Sequence, residues 1–238
     1  MDNSNKRNNN IIPSFGRRRS HGLSAAQKNA LQVLYKLYGI NLSCDSEKIS
    51  PLSFFSENVF SKIFIEIGFG GGEHLIQNAK QNTNIGFIGC EPFENGVAKV
   101  LKAIQENSLN NTVVFNGDAR YLLNSLRDLS VDRFYILFPD PWTKKRHYKR
   151  RLLSKEFITT LLYSKLKIFG DIIIATDCEN YMADILENIK DFPNILLSSN
   201  ELSSLRERPA DFITTRYEQK AICQGKQPFY LRIEKIKI

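Results

Sequence analysis

The sequence predicts an α/β fold: a doubly wound, mostly parallel, Rossmann-like sheet that finishes in a C-terminal antiparallel hairpin. Three observations predict it. From Ile63 to about residue 190, short apolar runs alternate strictly with amphipathic stretches. The apolar runs, Ile172-Ile173-Ile174 among them, are continuous, as strands are when helices cover both faces of a parallel sheet. Nearly every run also stops at an acid, a glycine or both.

Taken in order, residues 1–22 are rich in Asn, carry Arg17-Arg18-Arg19 and offer almost nothing to bury. They are expected to form a mobile basic arm. Residues 23–238 are expected to form one domain, since a chain of 238 residues suits a single core. Ser24 is placed to cap a helix over 25–38, in which Leu31, Leu34, Tyr35 and Tyr38 recur on one face before Gly39. Strands follow at 63–67, 85–90, 112–116, 133–138 and 171–176. Helices are predicted near 72–81, 94–106, 119–129, 154–168 and 179–190, with Val97, Val100, Leu101 and Ile104 sharing one face of the second. The Ser-rich connection 198–211, with Pro209, reads as a long surface loop. Two extended stretches, 212–222 and 228–236, flank Gln224-Gly225-Lys226-Gln227 and make the expected hairpin.

A net charge of +8 favours a polyanionic partner. Its distribution carries more than its sum. Basic residues concentrate at Arg17 to Arg19 and again at Lys144, Lys145, Arg146, Lys149, Arg150 and Arg151. Such a run belongs on a phosphate-binding surface, or else is merely solvated. Cys44, Cys90, Cys178 and Cys223 form no C-x-x-C pair, so neither a zinc knuckle nor a disulfide scaffold is indicated and a reduced, cytoplasmic setting is expected. No apolar run is long enough to span a membrane. His74 and His147 lack partners at metal-ligand spacing and are read as incidental, so no metal is expected.

In a doubly wound sheet the ligand sits outside the carboxyl ends of the strands. Here those ends are polar: Glu66-Ile67-Gly68-Phe69-Gly70-Gly71-Gly72, then Cys90-Glu91, Asn116-Gly117-Asp118, Pro139-Asp140 and Thr176-Asp177. Glycines let backbone approach a ligand closely, and Glu91 is placed to accept from a ribose diol. A nicotinamide fingerprint starting at Gly68 would need a third glycine where Glu73 stands. The acids Glu66 and Asp118 also suit a cationic, phosphate-free cofactor such as S-adenosylmethionine better than a pyrophosphate. Residues 135–151 then join a strand end, the stiff turn Pro139-Asp140-Pro141-Trp142 and the basic run. That combines a pocket for a flat ring with a surface for phosphates.

The motifs Glu66-Ile-Gly-Phe-Gly-Gly-Gly, Glu91, Gly117-Asp118-Ala119, Phe138-Pro-Asp-Pro-Trp-Thr-Lys-Lys-Arg-His, Lys149-Arg-Arg, Ala175-Thr-Asp177 and Thr215-Arg-Tyr-Glu218 carry a family resemblance. The chain resembles the bacterial tRNA (guanine-N7-)-methyltransferases over nearly its whole length. The Pro-Asp-Pro-Trp block with its basic run is specific to them, whereas the glycine motif marks only the wider methyltransferase class. The resemblance implies a class I S-adenosylmethionine-dependent fold and a guanosine target at position 46, in the variable loop of tRNA. It implies that Glu66, Gly68, Glu91, Asp118 and Asp140 line the cofactor site; Asp140 is in addition expected to be the catalytic residue, accepting from the N1 and N2 edge of the guanine and stabilising the charge that develops on it. It implies further that Lys144, Asp177, Thr215, Arg216, Tyr217 and Glu218 contact the guanosine or its surroundings. A nicotinamide oxidoreductase and a non-catalytic RNA-binding protein on the same fold stand as alternatives.

Overall fold

The computed structural model describes Arg18 and residues 22–42, 47–56, 60–209 and 212–237. Of the arm expected at 1–22, all but Arg18 and Gly22 lies outside the described residues; the Arg18 carbonyl accepts the Glu94 amide at 3.1 Å. The strands are β1 Lys62–Ile67, β2 Ile85–Cys90, β3 Thr112–Phe115, β4 Val131–Leu137, β5 Leu166–Thr176, β6 Ile195–Leu197 and β7 Phe229–Lys235. The helices are α1 Ala25–Asn29, α2 Tyr35–Tyr38, α3 Glu73–Gln81, α4 Glu94–Glu106, α5 Ala119–Ser125, α6 Tyr163–Lys165, α7 Glu179–Ile189 and α8 Arg216–Cys223.

The strands form one seven-stranded sheet in the order β3-β2-β1-β4-β5-β7-β6. The first five run parallel, and β7 lies antiparallel between β5 and β6. Because the chain leaves β1 toward β2 and later returns to lay β4 on the other side, the order reverses at β1/β4, where a crevice opens in such sheets. Successive residues of each strand supply two separate cores. Ile63, Ile65 and Ile67 of β1 join Phe134 and Ile136 of β4 and the α5 and α7 side chains. Phe64 of β1 joins Phe87, Tyr135 and Ile173 and the α3 and α4 side chains on the opposite face. This is the physical meaning of the continuous apolar runs: both faces of each strand are buried.

Most expected elements are present, with four differences of physical interest. The predicted helix 25–38 is α1 and α2 joined by a π-helical turn Ala30–Leu34; its Ser24 cap forms a reciprocal box with Gln27. Helix α5 stops at Ser125, because the Ser125 carbonyl accepts the Ile49 amide at 2.7 Å and Leu126 bridges to Ile49. Strand β5 begins five residues earlier than expected, with Phe169 in the left-handed region at φ 65° where the β4 pairing shifts register. The antiparallel edge exists, but 212–222 is not one of its strands. Its partner is β6, and Thr215 and Glu218 form a capping box that starts α8 instead. Among the described residues no helix is long and apolar enough to cross a membrane.

Candidate active site

The carboxyl ends of the five parallel strands lie along one edge, in the order Asp118, Glu91, Glu66, Asp140, Asp177. Backbone hydrogen bonds carry the ladder past the strand ends and hold them level. The Gly68 amide donates to the Cys90 carbonyl at 2.7 Å, the Glu91 amide to Phe115 at 3.1 Å and the Phe138 amide to Ala175 at 2.7 Å.

Glu66, at the crevice, is 5% exposed. Its Oε2 lies 2.8 Å from Nδ1 of His74, whose Nε2 lies 3.0 Å from the Asn78 amide nitrogen. An N–H on Nδ1 donating to Glu66 leaves Nε2 to accept from the Asn78 side-chain amide. His74 is therefore the buried partner of a strand-end acid, not incidental. Asn78, one helical turn on, was the sequence signal.

Glu91 is 7% exposed, and each carboxylate oxygen accepts one backbone amide, Gly70 at 2.8 Å and Phe93 at 2.9 Å. Burial raises its pKa above the ordinary carboxylate value, and the charges of Asp140 and Glu66 add to that rise. The edge therefore concentrates negative potential. Asp118 is different: it caps α5 and is held by both Nε and Nη2 of Arg120. Its charge is already matched, so it does not contribute to the case against a pyrophosphate as its sequence position implied.

Gly68, at φ 77°, has nothing within 4 Å of where a Cβ would stand, which leaves the strand end open toward a ligand. Gly70, at φ 55°, has Cε2 of Tyr217 only 3.1 Å from that position. Tyr217, 50% exposed, thus rests over the glycine turn. Nearby, Oδ1 of Asn95, in the first turn of α4, is buried and has no hydrogen-bond partner among the described residues. It is an acceptor that the sequence did not single out.

Asp140 is exposed and accepts no hydrogen bond among the described residues. It sits in a turn whose flanks, Phe138 at φ 53° and Trp142 at φ 43°, both occupy the left-handed region. The basic segment continues as a 3₁₀ helix, Lys145–Arg150. Lys144, Lys145, Arg146 and Lys149 are exposed. His147 is pushed below its ordinary pKa by partial desolvation and by the charges of Arg150, Arg146 and Lys144. Arg150 lies over the Trp142 ring at 5.0 Å, with His147 edge-on to the same ring. Arg151 departs from the expectation of a six-residue phosphate surface: it is buried, and it turns inward.

The remaining predicted residues divide. Asp177 is paired with Lys226 at 2.5 Å. Thr215 and Glu218 are buried in the α8 capping box, and Glu218 also accepts Arg208 Nε at 2.8 Å and the Tyr230 hydroxyl. Arg216 and Tyr217 are the members of that motif that reach solvent. A row of rings links the two groups: His74 to Phe212 at 5.7 Å and Phe212 to Tyr230 at 5.1 Å. Among the described residues no group of His, Cys, Asp and Glu is arranged to hold a metal.

Comparison with known proteins agrees with this geometry. The family described as "Putative methyltransferase" matches residues 61–231. The crystal structure of a 16S rRNA methyltransferase, KamB, superposes with a TM-score of 0.52 at 14% identity, covering 74% of this chain and 88% of that one; this likeness concerns the fold. The tRNA (guanine-N(7)-)-methyltransferase of Jannaschia sp. is 36% identical over 223 residues, 93% of each chain. That of Hyphomonas neptunium is 38% identical over 91% of this chain and 97% of its own. That of Roseobacter denitrificans is 43% identical over 71% and 72%. With a strand order, a strand-end row of acids and a near full-length likeness that all agree, the chain belongs to the tRNA (guanine-N(7)-)-methyltransferase family.

Proposed function

We propose that the protein transfers a methyl group from S-adenosyl-L-methionine to N7 of guanosine 46, in the variable loop of tRNA. One observation carries the reading. The crevice between β1 and β4 is flanked by Glu66, Glu91 and Asp140 and continues directly into the exposed cations Lys144, Lys145, Arg146 and Lys149. A cationic cofactor suits the acids, and a polyanion suits the cations.

The residues fit the cofactor. Glu91 retains lone pairs for a ribose diol, Gly68 leaves its side of the turn open, and Asn95 Oδ1 is a buried acceptor with no donor among the described residues. Glu66, Gly68, Glu91, Asp118 and Asp140 line the cofactor site in this reading, with Asp118 acting through the α5 cap it forms. When bound, S-adenosylmethionine supplies a sulfonium methyl, whose bond to sulfur breaks as the bond to N7 forms, moving the positive charge to the purine.

Guanine N7 has an in-plane lone pair and no proton, so the transfer needs no general base. Alignment is the main demand, and holding reacting atoms in line at about 3–3.5 Å lowers such barriers by several kcal/mol. Asp140 accepts hydrogen bonds from the N1 and N2 edge of the guanine and stabilises the developing charge. The same carboxylate disfavours adenine, which presents an acceptor at that edge. Asp177 and the α8 segment Thr215 to Glu218 frame the guanosine, Thr215 and Glu218 by holding Arg216 and Tyr217 in place. Lys144 and its neighbours hold the tRNA backbone. Residues 23–238 act as one methyltransferase domain in the cytoplasm, with 1–22 as a basic arm.

The test has two arms. S-adenosylmethionine, and not NAD, should raise the melting temperature. Labelled methyl should pass to a tRNA transcript carrying guanosine 46 and not to one carrying adenosine there. Tight tRNA binding without transfer would instead support the non-catalytic reading.

A further inference from the structure

We infer that Arg151 is a positioning residue that clamps the Asp140 turn onto α7, and thereby sets the guanine-facing carboxylate. The inference rests on the role proposed above for Asp140. Among the six cations of the basic run Arg151 alone is buried. Its Nε donates to the Pro141 carbonyl at 2.9 Å, one residue after Asp140. Its Nη2 donates to Asn180 Oδ1 at 2.9 Å, and its Nη1 pairs with Asp184, both on α7. The guanidinium carbon lies over two rings, 3.8 Å from the centroid of Tyr148 and 4.7 Å from that of Tyr181.

Burying a guanidinium is costly unless its donors are matched, and here three directions are matched at once. The arrangement serves a turn with strained backbone on both flanks. Phe138 and Trp142, on either side of Pro139-Asp140-Pro141, both sit at positive φ, a conformation that persists only when the surroundings over-determine it. The bond from Arg151 to Pro141 supplies that restraint and closes residues 141–151 into a loop, so the exposed lysines are carried on the same frame. Because α7 starts just beyond Asp177, one side chain fixes the end of β4 relative to the end of β5. A planar fork with two stacking faces meets these demands, and an ammonium does not.

The experiment uses Arg151→Lys in the full-length protein. Trp142 is the sole tryptophan, so its fluorescence reports the turn without reference to activity. The expected result is a greater quenching of Trp142 by acrylamide, a thermal shift with S-adenosylmethionine that is largely kept because Glu66, Gly68 and Glu91 are untouched, and a fall of about 100-fold in single-turnover transfer to tRNA, the size of a small misplacement at a reacting centre. Ile189→Ala, buried at the far end of α7, lowers the melting temperature and should keep the wild-type rate wherever it is folded. Should Arg151→Lys not fold, Tyr148→Leu removes one stacking face and should shift quenching and rate in the same directions by less. Wild-type quenching together with a wild-type rate, or a fall no greater than that of Ile189→Ala, would overturn the inference. If the wild-type enzyme fails to methylate tRNA, the proposed function is what fails, and the quenching comparison still decides the clamp.

Discussion

His74 Nδ1 lies 2.8 Å from Glu66 Oε2, both groups buried, with Asn78 on the other ring nitrogen. An acid at the end of β1, in the proposed cofactor site, is thus held by a helix that begins immediately after the glycine turn. His74→Phe keeps a ring against Tyr135 and Phe212 but removes both polar contacts. It should lower stability by about 1–3 kcal/mol, the usual cost of stranding buried polar partners, and weaken S-adenosylmethionine binding by about tenfold. Urea unfolding and calorimetric titration measure the two effects. Unchanged values for both would mean the pair does not orient Glu66.

Asp140→Asn keeps the side chain's size and removes the charge proposed to face the purine. Single-turnover transfer should fall by about 10²–10³, as when a preorganised electrostatic partner is removed, with cofactor affinity lowered only modestly. Wild-type turnover in this variant would end the assignment of Asp140 as the catalytic residue.

Lys144, Lys145 and Lys149 are exposed on the segment after Asp140. Replacing all three by Gln should flatten the dependence of log K on log salt for tRNA by about 0.7–0.9 for each phosphate no longer neutralised. An unaltered slope, measured by filter binding, would make the run solvated surface.

Glu91 gives a pH prediction. Its pKa is raised above 4.5 in the folded protein, by burial first and then by Asp140 and Glu66. Its contribution to stability is therefore fully present below the unfolded value and is lost as pH rises through the folded one. Accepting from ribose hydroxyls favours the ionised form, so cofactor affinity should weaken as pH falls through that raised pKa. Titration calorimetry across pH should show this in the wild type and a flatter profile in Glu91→Gln. Equal pH profiles would remove Glu91 from the ribose site.

Gly70→Ala should cost about 1–2 kcal/mol from its positive φ alone, and more because the new methyl would meet Tyr217. In a Tyr217→Ala background the second part should disappear. A double-mutant cycle in thermal unfolding reads the difference, and strict additivity would show that Tyr217 does not press on the turn.

Much of the site was legible from residue types at strand ends, because a parallel sheet fixes where those ends lie. Glu66, Glu91, Asp118, Asp140 and Asp177 line one edge for that reason. What each acid does there depends on neighbours that come from elsewhere in the chain. Asp177 meets Lys226 from 49 residues away, a pairing set by the return of β7. Arg151 reads as one cation among six, and only the arrival of α7 with Asn180, Tyr181 and Asp184 turns it inward. The helix α8 was legible and missed: Thr215-x-x-Glu218 is a capping box, but the β-branched residues before it weighed toward a strand. Strand β6 is three residues long and pairs only at the sheet edge, too short for a periodic signal.

The measurement that bears most directly on the central claim is the transfer of labelled methyl from S-adenosylmethionine to unmodified tRNA transcripts, followed by chemical cleavage at 7-methylguanosine. The predicted result is a single cleavage in the variable loop, at guanosine 46, appearing about 10²–10³-fold more slowly with Asp140→Asn. Label at another position, or label that does not direct cleavage because a different atom carries it, would contradict the account.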